Sequence, residues 1–593
     1  MTESPPLLEY AYAHTQTEAT TGYFSCEPQG LDEDQALRRL ESVPWDDFLH
    51  LHCLRLLHGK SLTALRRLAG DAWDGARFTR PALAALLLEC GVLDAAKAPA
   101  CEGFPAHAAR LLADATPALY LRAAACEHAA ATRAWSELWA GNILEHHALP
   151  HPDDADAVPP PLFPEDAVAA ERRRMAEAAP TLARLCADWR GGRLPDGLTP
   201  SPAWERPPAQ ETYLRAMDAL MEAGIPDGQE MRHEASLSPI ALLRHWRMDM
   251  RCDAGRHHWH ALGRATAYGR GLSLAGARAS CAMEIVERAS AYVSVGKGAL
   301  AGEEVLQRAE PLPLLRASYA SLKAEGRAVL DPALLPLEAP APDAPLYWLS
   351  GKDPAGNGVL VPAQAVFLFL NLDEPSLFLA GGSTGLASGN IMEEARVAAL
   401  TEIIERDAEA TTPFHKDRCF RLASRDPRLQ ALLDDYAARG IQVQFQDITT
   451  ELGVPVYQCF VMSPRGRVAR ATGAHLCGAR AALAALTETP WPYPNGGPTG
   501  PALRDLPVRM LEDLPDYSLP SPHDSLRLLE ATLRAHGRTP IYVNLTRDDF
   551  AIPVVRAIIP GLELNADWDR FSRPSLRLMA RRRASAPSLP AAS

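Results

Sequence analysis

The chain has 593 residues, of which 47% are hydrophobic and 22% charged, a globular composition with length for two to four domains rather than a disordered or fibrous one. Sixty basic against 73 acidic side chains leave a net charge of −13, which excludes a nucleic-acid footprint over the whole surface and leaves room only for a local basic patch. The 11 cysteines are scattered without a C-x-x-C pair, the N-terminus lacks the basic and apolar regions of a signal peptide, and no apolar run reaches the roughly 20 residues of a membrane span. Reduced thiols, a cytoplasmic location and no membrane contact are expected.

From Leu31 to about Leu149, Ala and Leu recur at helical spacing, as at Leu62, Leu65 and Leu68, broken often by Gly and Pro. Short antiparallel helices are expected. Prolines 150, 152, 159, 160, 161 and 164 then read as a stiff linker over 150–164. A helix from Pro164 to Trp189, a second proline-rich linker over 195–208 and a helix from Glu211 to Ala223 complete an all-α N-terminal region, 1–230. Strand-like runs begin near Ser238. Val359 to Leu372, Ile441 to Phe445, Pro455 to Met462, Ile541 to Leu545 and Pro553 to Ile559 read as strands. Helices are expected at about 273–291, 390–411, 426–438, 478–488 and 523–536. The alternation argues for a mixed α/β (α+β) catalytic domain over 231–575. Residues 576–593, basic and then rich in Ala, Ser and Pro, read as a frayed tail.

Two segments carry chemistry. In the first, Ser273 caps a helix on which Ser280, Glu284 and Glu287 share one stripe, among small or apolar neighbours such as Ala282, Ile285 and Val286. In the second, a turn rich in Gly, Ser and Thr enters a helix with Asn390 as expected N-cap and Glu393 as its capping-box partner. Glu394, Glu402 and Glu405 lie at roughly 0°, 80° and 20° on that wheel, with Arg406 beside them. Carboxylates on a core-like helix need a partner, and a hard cation suits them. The turn's backbone N–H groups suit phosphate oxygens as well. A lone E-x-x-E-R is most often a solvated face or an intrahelical ion pair; its pairing with a second such helix raises the odds of a site. Gly296-Lys-Gly298 lacks the rest of a P-loop. His257, His258 and His260 read as a loop cluster rather than a metal site. The prolines of Pro490 to Pro494 read as a rigid loop at a helix end.

Together these segments resemble the YcaO family. Its S-x-x-x-E-x-x-E signature is met by Ser280, Glu284 and Glu287, and its E-A pair and E-x-x-E-R by Glu394, Ala395, Glu402, Glu405 and Arg406. Asp447 to Val456, Gly473 to Leu476, Ala481 to Glu488 and Val543 to Glu563 follow in its order, so that the likeness covers about 235–570. The resemblance implies an ATP site without a P-loop. Glu284, Glu287, Glu394, Glu402 and Glu405 would be Mg²⁺ ligands, and Ser280, Arg406 and Arg556 would contact ATP. It also implies activation of a peptide backbone amide. A thiol, hydroxyl, amine or external sulfide attacks the carbonyl carbon, the amide oxygen takes the phosphoryl group, and phosphate leaves. Cyclodehydration, thioamidation and amidine formation in ribosomally made peptides are all outcomes of that step.

The chain departs from the pattern at three places. Thr384 stands where an Asn is common, Thr489 and Pro490 follow Glu488 where a Gln is common, and the end, Ala586 to Ser593, lacks the P-x-P-x-P of azoline-forming members. Azoline formation is therefore not favoured over the other outcomes. The leading expectation is an ATP-dependent amide-activating enzyme acting on a peptide or protein. Its 1–230 region would dock substrate, with a sulfur-delivery partner protein and a homodimer both open. The alternative is an ATP-binding scaffold for a modification complex, such as ribosomal-protein methylthiolation. A protein that no longer binds nucleotide is the least favoured reading, because the glutamate set is intact.

Overall fold

The computed structural model describes residues 6–15, 23–112, 116–124, 129–150, 154, 157–193, 199–298, 304–307, 312–337, 339–368, 370–378, 382–564, 568 and 572–585. It is a mixed α+β fold. Among the described residues a sheet of 13 strands runs from the edge strand Leu386–Ser388 through Val554–Ile558, Ile541–Asn544, Leu346–Lys352, Leu312–Ala317, Glu304–Gln307 and Ser294–Lys297 to the long pair Ile240–Ala254 and His257–Gly271. It continues into Leu8–Thr15 and Tyr23–Pro28. A second sheet of five holds Val468–Ala474, Val456–Met462, Gln444–Asp447, Cys419–Ala423 and Val508–Met510. Among the described residues no helix is long and apolar enough to cross a membrane.

The long strand Ile240–Ala254 follows from period-2 chemistry. Trp246, Met248, Met250, Cys252 and Ala254 point into the core, while Arg247, Asp249 and Arg251 face out. Helix Leu274–Ala291 lies on the neighbouring strand so closely that a Cβ at Gly269 would stand 2.1 Å from the Ala277 carbonyl oxygen. Only glycine fits there.

The N-terminal region is helix-rich, as expected, but not all-α. Leu8–Thr15 pairs in parallel with His257–Gly271, Leu8 opposite Trp259, and Tyr23–Pro28 pairs with it as a hairpin. Residues from Leu8 to Leu121 join Trp246 to Ile558 in one apolar core. The hydrophobic faces of the early helices thus cover the large sheet.

Further corrections concern segments that looked irregular. The expected strand Val359 to Leu372 is a strand only over Gly358–Pro362, because a 3₁₀ turn, Ala363–Ala365, follows the proline. Within the expected linker 150–164, the described residues 157–164 are packed: Val158, Leu162 and Phe163 contact a small core, and the Pro160 carbonyl accepts the Trp135 indole N–H at 2.7 Å, while residues 151–153, 155 and 156 lie outside the described set. The three histidines sit on a strand, not a loop. His257 meets the Asn371 carbonyl at 3.0 Å, whereas His260 lies between Glu9 and Asp249 at 2.8 and 3.0 Å.

The basic tail is in part a docked helix, Leu576–Ser585. Arg577 pairs with buried Asp407 and with Glu451, and Arg581 reaches Glu451 at 2.7 Å. Two guanidiniums overcome the effect of burial and hold the Glu451 carboxyl down at about 2. Residues 586–593 lie outside the described set.

Candidate functional site

The first glutamate helix, Leu274–Ala291, starts at Ser273, whose side chain accepts the Gly276 N–H at 3.2 Å. Ala277, Cys281, Ile285 and Val286 are buried, and Glu284, Glu287 and Arg288, half-buried, lie along the margin of that face. The second helix, Met392–Thr411, packs like the first on strands Leu386–Ser388 and Val554–Ile558, and the Ser388 hydroxyl ahead of it donates to the Met283 carbonyl at 3.0 Å. Its N-cap is Ile391, one residue later than expected. The carboxylate that reaches back to the Asn390 N–H is Glu394, at 2.8 Å, not Glu393. Glu393 instead faces His523 at 3.5 Å.

Between the helices four of the expected glutamates gather. Glu284 accepts the Tyr268 N–H at 2.8 Å and lies 3.6 Å from Arg288, which is 3.2 Å from Glu287. Glu402 accepts the Gly385 N–H at 3.2 Å, from a turn that Gly385 enters with φ +81°. Glu405 accepts the Thr472 hydroxyl at 2.8 Å and the Ala474 N–H at 2.9 Å. Arg406 binds Glu409 at 2.9 Å, and Arg470 approaches the same carboxylate at 3.8 Å.

The charges do not balance. Burial pushes the Glu287 carboxyl up to about 8, with Glu402 and Glu284 adding to the shift and Arg288 opposing it. Burial raises Glu405 to about 7, with Glu488 and Glu402 adding and Arg406 opposing. Glu284 and Glu402 are raised too, chiefly by burial. For Arg288, burial is outweighed by Glu287, Glu284 and Glu402, so its guanidinium is held above its usual range. Arg556 is buried on strand Val554–Ile558 and donates to the carbonyls of Ala365 at 3.1 Å and Gly382 at 2.8 Å. Its Nη1 has no hydrogen-bond partner among the described residues, and burial lowers its pKa to about 10.

Two expected residues stand apart. Ser280 is exposed on its helix. Glu394 lies eight residues before Glu402, about 12 Å along the axis at roughly 1.5 Å per residue. There its Oε1 meets the Nε of Arg206 at 2.6 Å. Residues that the sequence reading left without a role are Arg288, Glu409, Arg470, Arg206 and Glu488, whose charge raises both Glu284 and Glu405. One signal was available: Glu284-Ile-Val-Glu287-Arg288 is itself E-x-x-E-R, the same pattern as Glu402 to Arg406.

Among the described residues no three His, Cys, Asp or Glu side chains converge closely enough to hold a metal ion by themselves. Magnesium does not require such a group. Mg²⁺ usually takes one or two carboxylates and fills its octahedron with water and substrate phosphates. Under-neutralised carboxylates and the unpaired nitrogen of Arg556 form a donor set that fits a metal-bridged polyphosphate.

The family description "YcaO cyclodehydratase, ATP- and Mg²⁺-binding" matches residues 268–490 and 491–563. An uncharacterized protein of the tfuA 3′ region in Rhizobium leguminosarum bv. trifolii is 31% identical over 241 residues, 37% of this chain and 53% of that protein. The chain thus matches about half the length of that relative. An uncharacterized protein of Methanothermobacter thermautotrophicus is 28% identical over 341 residues, 51% of this chain and 84% of its own. Solved structures with similarity include a heterocyclase in complex with substrate and cofactor, at 18% identity and TM-score 0.47, covering 63% of this chain and 55% of that one. Another is YcaO from Methanopyrus kandleri bound with AMPPCP and Mg²⁺, at 20% identity and TM-score 0.42, covering 60% of this chain and 92% of that one.

Proposed function

Residues 268–563 belong to the YcaO family, and from that premise we propose that this protein uses Mg²⁺ and ATP to activate a backbone amide of a peptide or protein by O-phosphorylation. The observation that carries the reading is the pair of E-x-x-E-R helices, whose electrostatically coupled carboxylates are raised by burial and outnumber the arginines of the two motifs. Glu284, Glu287, Glu402 and Glu405, with Glu394 at the far end of its helix, are the proposed metal ligands. Ser280, Arg406 and Arg556 are the proposed nucleotide contacts, Arg556 through its unpaired Nη1.

Bound Mg²⁺ and ATP would supply the phosphoryl group that turns an amide oxygen into a leaving phosphate. The chain's own part is to hold charge in place. Thr472 and Ala474 fix Glu405, Gly385 fixes Glu402 and Tyr268 fixes Glu284, so the carboxylates are oriented before any cation arrives. Burial biases Glu287 toward its protonated form, and a bound cation would draw that proton off the carboxyl.

The test uses peptides encoded beside the gene, labelled with ¹⁸O at their backbone carbonyls and incubated with the full chain, Mg²⁺ and ATP. Label in the released phosphate is expected. Phosphate released without label, or modification without phosphate release, overturns the amide-activation step. ATP binding with no hydrolysis above background for any such peptide favours a scaffold role instead.

A further inference from the structure

We propose that Arg206, which lies outside the family-matched residues, competes with a divalent cation for Glu394 Oε1, so that loading the nucleotide site frees the Arg206 end of the strap 199–208. This inference rests on the Mg²⁺–ATP reading above. Both oxygens of Glu394 are engaged. Oε2 accepts the Asn390 N–H at 2.8 Å and the Asn390 side-chain amide at 3.0 Å. Asn390 is itself fixed, because its Oδ1 accepts the Thr212 hydroxyl and an Arg215 N–H, both at 3.0 Å. The oxygen left for a metal is therefore Oε1, and the Arg206 Nε is on it at 2.6 Å.

The two partners differ in how firmly they are held. The Glu394 side chain is 16% exposed, that of Arg206 65%. Upstream of Arg206 the strap is anchored by the Ser201 N–H on Asp524 at 3.0 Å and by the Trp204 N–H on the Pro520 carbonyl at 3.2 Å. The guanidinium can leave for solvent without opening a core. Arginine does not lose its proton, so only a competing charge removes it from Glu394, and a doubly charged ion with hard-oxygen preference is such a competitor.

The full chain, its R206A and R206K variants and an R206A/E394Q pair with its E394Q parent would be titrated with Mg²⁺ at fixed β,γ-methylene ATP, with binding read by calorimetry. An exposed ion pair sustains a ratio of up to about fivefold. We expect R206A to lower the half-saturating Mg²⁺ concentration two- to fivefold, R206K to stay near the parent, and the R206A effect to vanish in the E394Q background. Hydrogen exchange at Glu205 and Arg206 should rise on adding Mg²⁺ and the analogue to the parent chain, with the anchored Ser201 and Trp204 amides unchanged. An unchanged or raised Mg²⁺ midpoint in R206A, with the parent binding normally, overturns the inference alone. No Mg²⁺-dependent binding by the parent overturns the nucleotide reading and the inference with it.

Discussion

Replacing Glu287 by glutamine should make the protein more stable while it removes a proposed metal ligand. Glu287 is 16% exposed, touches Arg288 at 3.2 Å, and has its carboxyl raised to about 8 by burial and by Glu402 and Glu284. A raised carboxyl favours the fold while protonated, so that contribution is complete below the unfolded value and is lost as pH climbs toward 8. From an unfolded value of about 4.4, the ionisation penalty is about 1 kcal/mol at pH 5 and at most about 4 kcal/mol at pH 8. Relaxation and partial hydration reduce the upper figure, so E287Q should gain about 1–2 kcal/mol at pH 8 and well under 1 kcal/mol at pH 5. The glutamine oxygen still accepts from Arg288. Urea denaturation of parent and variant at both pH values measures the difference. Equal stability at pH 8, or a gain of the same size at pH 5, would refute the claim that this carboxylate is under-neutralised.

Removing Arg577 leaves buried Asp407 with the Glu563 N–H at 2.9 Å and takes one guanidinium from Glu451, so R577A should cost about 3–5 kcal/mol in urea denaturation. The same network predicts acid sensitivity. Glu451 is held at about 2, so its contribution is full above the unfolded value near 4.3 and fades as pH falls toward 2, and R581A should blunt that part of the acid melt. Gly385 has φ +81°, and a Cβ there would meet the Ala557 carbonyl oxygen at 2.4 Å. G385A should lose about 1–3 kcal/mol and weaken nucleotide binding by dislodging the N–H that holds Glu402, whereas G382A, with open space around it, should do neither. R556K cannot serve two carbonyls and a third direction from one planar fork, and should weaken ATP-analogue binding about tenfold while Mg²⁺ is saturating.

The helices of the catalytic region were legible because their apolar spacing and terminators are local. Expected 273–291, 426–438 and 478–488 fall within about two residues of Leu274–Ala291, Pro427–Ala438 and Gly478–Glu488. The long strand Ile240–Ala254 was harder to bound, since Arg244, Arg247, Asp249 and Arg251 give it a charged look until their alternation with Trp246, Met248 and Met250 is counted. The hairpin at residues 8–28 and the helix Leu576–Ser585 were illegible for a different reason. Their partners, Trp259 for Leu8 and Asp407 for Arg577, lie far away along the chain, the second 170 residues off, and no local pattern encodes a distant carboxylate. In the site, shared helical faces account for Glu284 lying by Glu287 and Glu402 by Glu405, each pair on its own helix, but they also placed Glu394 with the second pair. They did not foretell that Arg206, from a stretch that reads as linker, takes the free oxygen of Glu394.

Equilibrium binding of ATP to the full chain with and without Mg²⁺, beside the E402Q variant, tests the nucleotide site most directly. We expect binding by the parent chain only when Mg²⁺ is present, and at least a hundredfold weaker binding by E402Q even though the glutamine can still accept the Gly385 N–H. Binding that is indifferent to Mg²⁺, or an E402Q variant that binds as the parent does, would contradict the assignment of these glutamates to a metal-bridged nucleotide.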